Sequence, residues 1–144
     1  MITGIRHIGY NCSSIPALEK FYRDVLGFEL IWNKTEDSDF MRQLWSADGF
    51  ITTRKYKSQN GIVLEFGHKP PHLWHLNLAH IGVSCDNIEE EYKRLVELGY
   101  HFISRPIESP DGNALAICFA PDGMAIELVE VKKEWMETGK TTRA

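Results

Sequence analysis

The sequence predicts an α+β fold of two tandem βαβββ modules, and three repeated features carry that prediction. A short phrase occurs twice, His7-Ile8-Gly9-Tyr10-Asn11-Cys12 returning as His80-Ile81-Gly82-Val83-Ser84-Cys85 with His, Ile, Gly and Cys in register. A helix exit recurs at nearly the same interval, Leu26-Gly27-Phe28 against Leu98-Gly99-Tyr100. Each copy also closes on an apolar strand interrupted by one carboxylate, Glu65 in the first and Glu127 in the second. Two copies of one unit, each offering a histidine from the same place on its first strand, are able to share one centre on a pseudo-twofold axis.

In module one, Ile5 to Cys12 alternates, with Ile8, Tyr10 and Cys12 on one side and His7, Gly9 and Asn11 on the other, as in a strand with one apolar face. Ser13-Ser14 offers a helix N-cap, Pro16 suits the first turn, and Ile15, Leu18, Phe21, Tyr22, Val25 and Leu26 recur at helical spacing up to a glycine cap at Gly27. Strands are expected at Phe28 to Trp32 and Phe40 to Ala47, Phe50 to Tyr56 is ambiguous, and Ile62 to Phe66 follows the Asn60-Gly61 turn. In module two the strand Leu78 to Cys85 leads through Asp86 or Asn87 as N-cap into a helix with Ile88, Tyr92, Leu95, Val96 and Leu98, stopped by Gly99. His101 to Ser104, Ala114 to Phe119 and Met124 to Val131 supply the remaining strands, with turns at Ser109-Pro110-Asp111-Gly112 and Pro121-Asp122-Gly123.

With 144 residues, 43% hydrophobic and 25% charged, the chain reads as one domain: module one about 4–67, a linker 68–77, module two about 78–131 and a polar tail 132–144 with Trp135 and Met136 as packing anchors. A net charge of -4 without clustered Lys and Arg argues against nucleic acid and anionic membranes as partners. No apolar run reaches the ~18 residues of a membrane span and no signal-like segment opens the chain, so a cytoplasmic location is expected. Cys12, Cys85 and Cys118 lie in apolar strand-like stretches without CxxC spacing and are read as packing residues.

Strand parity turns His7 and His80 away from the apolar stripes of their strands, and sets Glu65 and Glu127 opposite Leu64/Phe66 and Ile126/Leu128. A carboxylate in an apolar run is expensive to desolvate without a cation or hydrogen bonds. Two imidazoles and two carboxylates at matching positions of a repeat form a ligand set suited to one divalent metal ion, Ni, Zn, Co, Mn or Fe, with room for two waters in an octahedron. His72 and His75, after Pro70-Pro71, read as a solvated linker, and His101 as a surface residue. His68 is a candidate proton donor or substrate contact near Glu65. Trp32, Phe40, Met41, Trp45 and Trp74 read as core, with one or two lining a pocket whose walls come from the unrepeated stretch 34–60.

The chain resembles the vicinal oxygen chelate superfamily, which includes glyoxalase I, methylmalonyl-CoA epimerase, extradiol dioxygenases and bleomycin or fosfomycin resistance proteins. His7-Ile8-Gly9, Phe21-Tyr22 with Leu26-Gly27-Phe28, Glu65, His80-Ile81-Gly82-Val83, and Phe119-Ala120-Pro121-Asp122-Gly123 through Ile126-Glu127-Leu128 carry the likeness. It implies curved mixed sheets forming a metal-binding cleft, with His7, Glu65, His80 and Glu127 as ligands. The ligand order is most similar to bacterial glyoxalase I, which implies a lyase or isomerase for a small oxo or hydroxy substrate. A metal-site Glu would then move a proton through an enediolate, with Glu127 as leading base and Glu65 as its partner. The likeness implies modules paired within a subunit or swapped between subunits, either of which the linker permits, and a homodimer is expected. Glutathione-using glyoxalases carry an arginine where this chain has Trp32, and methylmalonyl-CoA epimerases carry Gln at the place of Glu65 and a Glu base near Met41 to Leu44, where this chain has Arg42 and Gln43. An Fe(II) extradiol-type dioxygenase and a non-catalytic small-molecule-binding resistance protein are the alternatives of the same fold.

Overall fold

The computed structural model describes residues 1–69 and 77–132. Eight strands form one curled sheet: β1 (Ile2–Cys12), β2 (Glu29–Glu36), β3 (Ile51–Lys57), β4 (Val63–His68), β5 (His80–Cys85), β6 (Ile107–Glu108), β7 (Ala114–Phe119) and β8 (Ala125–Glu130). Their order is β2-β3-β4-β1-β5-β8-β7-β6, so each module contributes one half and the two first strands meet antiparallel at the centre. Within each half the first and last strands run parallel, β1 with β4 and β5 with β8. The two halves therefore have matching topology about the β1/β5 seam. The linker histidines His72 and His75, with Pro70, Pro71 and Trp74, and the tail's Trp135 and Met136 lie outside the described residues.

Capping chemistry sets the helices. Ser14 accepts a hydrogen bond from the Ala17 N–H and opens α1 (Ile15–Glu19), which continues as a π-helical turn over Lys20–Val25 before Gly27 turns out at φ 75°. Asn87 caps α3 (Ile88–Glu97) through the Glu90 N–H, and Gly99 ends it at φ 95°. The duplicated Leu-Gly-aromatic exits are thus matching left-handed turns, where a side chain would be strained.

Three expected elements are corrected. Phe40 to Ala47 is not a strand: Asp37 accepts from the Phe40 N–H and starts α2 (Ser38–Trp45). Phe40, Met41, Leu44 and Trp45 fall on one helical face, and Ser46 closes the helix in the left-handed region at φ 54°. The strand after the first helix does not stop at Trp32 but runs to Glu36, paired along its length with β3, which settles the ambiguous Phe50 to Tyr56 stretch as strand. His101 to Ser104 makes only an isolated bridge, Phe102 to Cys118, and the paired strand comes later at Ile107–Glu108, beyond Pro106, which has no N–H to offer a ladder.

Two layers of apolar packing hold module two. On the outer face α3 brings Ile88 against Cys85, Ala116, Cys118 and Leu128. On the inner face α2 crosses from module one and sets Phe40 and Leu44 against Leu115, Ile117, Ala125 and Val129. Each fully buried side chain of this size contributes about 1.5–3 kcal/mol. In module one, Tyr22 packs against Phe66 and Tyr56, tying the first helix to the outer face of β3 and β4. Burial pushes the Cys85 thiol up to about 11 and raises those of Cys12 and Cys118, which agrees with packing rather than nucleophilic roles.

Candidate metal centre

Each of the four central strands delivers one candidate ligand: His7 from β1, Glu65 from β4, His80 from β5 and Glu127 from β8. Register explains how they meet. Gly9 of β1 pairs with Glu65 on one side and with His80 on the other, and Gly82 of β5 pairs with Glu127 on one side and His7 on the other. The sheet therefore carries two antisymmetric rows, Glu65–Gly9–His80 and Glu127–Gly82–His7. Strands lie about 4.8 Å apart, so each histidine must reach over its neighbouring strand to meet the carboxylate beyond. The glycine makes room: a methyl group built on Gly9 would overlap the ring of His80, and one on Gly82 the ring of His7. This is the physical reason the phrase His-Ile-Gly occurs twice.

The histidine–carboxylate contacts of the two rows match. His80 Nε2 stands 3.3 Å from Glu65 Oε1, and His7 Nε2 stands 3.3 Å from Glu127 Oε1. The two Nε2 atoms are 2.8 Å apart, and His7 Nε2 is 3.9 Å from Glu65 Oε1. Two ligands at ~2.1 Å from one cation lie about 3.0 Å apart at right angles and about 3.4 Å apart at the tetrahedral angle. The spacings of this cluster bracket those values, and the ligand atoms of His7, His80 and Glu127 all lie within 4.8 Å of one another. His80 Nδ1 is 2.6 Å from the Leu78 carbonyl oxygen, to which it donates, so in the neutral imidazole the lone pair is on Nε2, facing the cleft. Both histidines are buried. His7, His80 and Glu127 form a donor set whose geometry fits a divalent ion, and Glu65 stands outside this group, between His80 and Lys55.

Electrostatics distinguish the two carboxylates. Burial disfavours the charge on both. On Glu65 the Lys55 ammonium, with His7 and His80, overcomes it and holds the carboxyl well below the usual range. On Glu127 the His7 hydrogen bond and the two imidazoles lower it. Burial likewise opposes the His80 imidazolium, but Glu65 and Glu127 outweigh it and lift His80 to about 9. Lys55 Nζ is 3.1 Å from Glu65 Oε2 and lies 3.8 Å above the Trp32 ring. Among the described residues the ion-pair partner of Glu127 is His7.

The cavity at the site is lined by both modules. Its walls include Trp32, Lys34 and Glu36 of β2, Thr53 and Lys55 of β3, and Phe40, Met41, Leu44 and Trp45 of α2, with Ser109, Asp111 and Asn113 from the loop before β7. His68, at the end of β4, is three residues from Glu65 and so on the opposite side of the strand; it does not line this cavity. His101 is exposed, as expected. Arg42 and Gln43 are exposed on α2 rather than on a strand, and Arg42 pairs with Asp39 and Asp48. Sequence reasoning missed Lys34, Glu36 and Lys55. The available signal was the alternation Trp32, Lys34, Glu36, which continues the strand period through charged residues.

The sequence model of the Glyoxalase/Bleomycin resistance protein/Dioxygenase superfamily matches residues 4–128. The chain belongs to this superfamily. Similar folds include a hypothetical protein from Bacillus halodurans C-125 (TM-score 0.69, 20% identity, covering 90% of this chain and 95% of that one). A methylmalonyl-CoA epimerase variant from Streptomyces coelicolor, in complex with 2-nitronate-propionyl-CoA, superimposes with TM-score 0.70 at 17% identity over 92% of this chain and 100% of that one. The epimerase from Mycobacterium tuberculosis gives 0.71 at 15% identity over 92% and 90%. No curated protein matches the sequence. Among the described residues no helix is long and apolar enough to cross a membrane.

Proposed function

We propose that this superfamily member is a divalent-metal-dependent lyase or isomerase of the glyoxalase kind, acting on a small oxo or hydroxy compound that presents two neighbouring oxygens. The observation that carries this reading is the pair of rows Glu65–Gly9–His80 and Glu127–Gly82–His7, which bring His7, His80 and Glu127 to mutual ligand spacing in a buried cleft and set Glu65 3.3 Å from His80 Nε2. When bound by these four side chains, the metal ion supplies Lewis-acid polarisation of the substrate oxygens, which acidifies the adjacent C–H. Its identity among Ni, Zn, Co, Mn and Fe is left to measurement.

The chain's own residues divide the remaining work. His80 is oriented by the Leu78 carbonyl, and both imidazoles are held in place by the glycines beneath them. Glu65 has its outer oxygen on Lys55, stays charged, and serves as a fixed ligand. Glu127, free of such a lysine among the described residues, is the base: it takes the proton from the acidified carbon and returns it to the neighbouring atom or the opposite face. α2 covers the inner wall of module two and helps exclude water. We place the protein in the cytoplasm as a homodimer.

The test is proton exchange. Protein reconstituted with Ni, Co or Zn is incubated in D2O with 2-hydroxyketones, 2-oxoaldehyde–thiol adducts and 2-methylmalonyl thioesters, and loss of the C–H signal is followed by NMR. Exchange with at least one class, falling a hundredfold or more in metal-reconstituted Glu127→Gln, supports the reading. Exchange with none of them, or exchange unchanged in that variant, contradicts it.

A further inference from the structure

We propose that Glu36 and Lys34 form a hydroxyl-binding subsite in the cleft, so that the substrate is a polyhydroxylated oxo or hydroxy compound; the proposal rests on the metal-centre reading above. Glu36 is the last residue of β2, on the same strand face as Lys34 and Trp32, and its side chain lines the cavity shared with His7, Glu65 and Glu127. It is only 8% exposed. Its Oε1 lies 3.8 Å from Lys34 Nζ, beyond hydrogen-bond distance, and its Oε2 is buried with no hydrogen-bond partner among the described residues. A buried carboxylate oxygen without a partner is costly to keep. Burial, only partly offset by Lys34 and Lys55, pushes this carboxyl up to about 7. The Lys34 ion pair engages Oε1 and leaves Oε2 unsatisfied among the described residues, and the missing partner of Oε2 is assigned to the ligand.

The surroundings select the kind of partner. A cationic group would meet the positive charges of Lys34 and Lys55, which already act on Glu36. An anionic group would meet Glu36 itself and the charge of Asp111. A neutral hydroxyl satisfies both sides, donating to Glu36 Oε2 and accepting from Lys34 Nζ. Lys34 and Lys55 already occupy the Trp32 ring, at 5.0 and 3.8 Å from its centroid, while Phe40, Met41 and Leu44 offer apolar surface to the C–H edges of a polyol.

Two six-carbon probes with the same oxygen chelate separate the possibilities: gluconohydroxamic acid, whose chain carries hydroxyls, and hexanohydroxamic acid, whose chain carries none. Each is titrated calorimetrically into Zn- or Co-loaded protein. The ratio of gluconohydroxamate to hexanohydroxamate affinity should fall about tenfold in Glu36→Leu and severalfold in Glu36→Gln, the worth of one charge-assisted hydrogen bond. Both variants should melt higher than the native protein when free of ligand, which a carboxylate with a structural role would not do. An unchanged ratio in both variants, with hexanohydroxamate still binding, overturns the subsite alone. Failure of both hydroxamates to bind the metal-loaded native protein overturns the metal-centre reading and the subsite with it.

Discussion

The two rows that build the centre are alike until one strand further out, and there they part. Module one continues Glu65–Gly9–His80 outward to Lys55 and then Trp32, whereas module two continues Glu127–Gly82–His7 outward to Ile117. Lys55 grips Glu65, while Ile117 is wholly buried beneath Phe40 and Leu44 of α2. In the proposed function, duplication supplies the ligands, and departure from it makes one carboxylate a clamped ligand and the other a base. The same departure made one wall of the cleft polar and filled the other with a helix that only module one possesses.

The comparison breaks most completely at the shared glycines. Gly82→Ala and Gly9→Ala should each displace the histidine of the opposite module and abolish metal binding, seen in an equilibrium metal titration, although neither residue is a ligand. Lys55→Met makes module one resemble module two. It leaves Glu65 buried without its cation, and should destabilise the metal-free protein by about 4 kcal/mol and the metal-loaded protein by much less, in paired denaturant titrations. Phe40→Ala uncovers the inner wall of module two and should cost about 3 kcal/mol in the same assay.

The smallest effect concerns Glu36 and has a pH signature. Its folded-state carboxyl is raised from 4.5 to about 7 by burial, so the native protein loses stability as pH rises through that interval. Glu36→Gln has no such charge to bury; it should match the native protein near pH 4.5 and be more stable by up to about 3 kcal/mol at pH 8, measured by chemical denaturation at the two pH values.

The parts of the molecule visible in the sequence are those written twice or written in apolar residues. His7, His80, Glu65 and Glu127 stood out because a repeat has no structural reason to duplicate a buried charge, and the helix exits at Gly27 and Gly99 because a left-handed turn selects glycine. The role of Gly9 and Gly82 did not stand out, since it arises from register between strands far apart in sequence. α2 reads as a strand in the sequence because Phe40, Met41, Leu44 and Trp45 form a short apolar cluster that fits either period, and the deciding signal is the cap at Asp37. Lys34, Glu36 and Lys55 were missed for a different reason. Hydrophobic patterning assigns charges to solvent, and these three face inward, where the cleft needs them.

The central claim is that two duplicated rows make one metal centre, and metal content tests it most directly. Protein produced with Ni, Co, Zn, Mn and Fe available and purified without chelators should carry one divalent ion per chain by elemental mass spectrometry, and His80→Ala, if still folded by circular dichroism, should carry almost none. A folded native protein that takes up no divalent ion, or a His80→Ala variant that keeps a full equivalent, would contradict it.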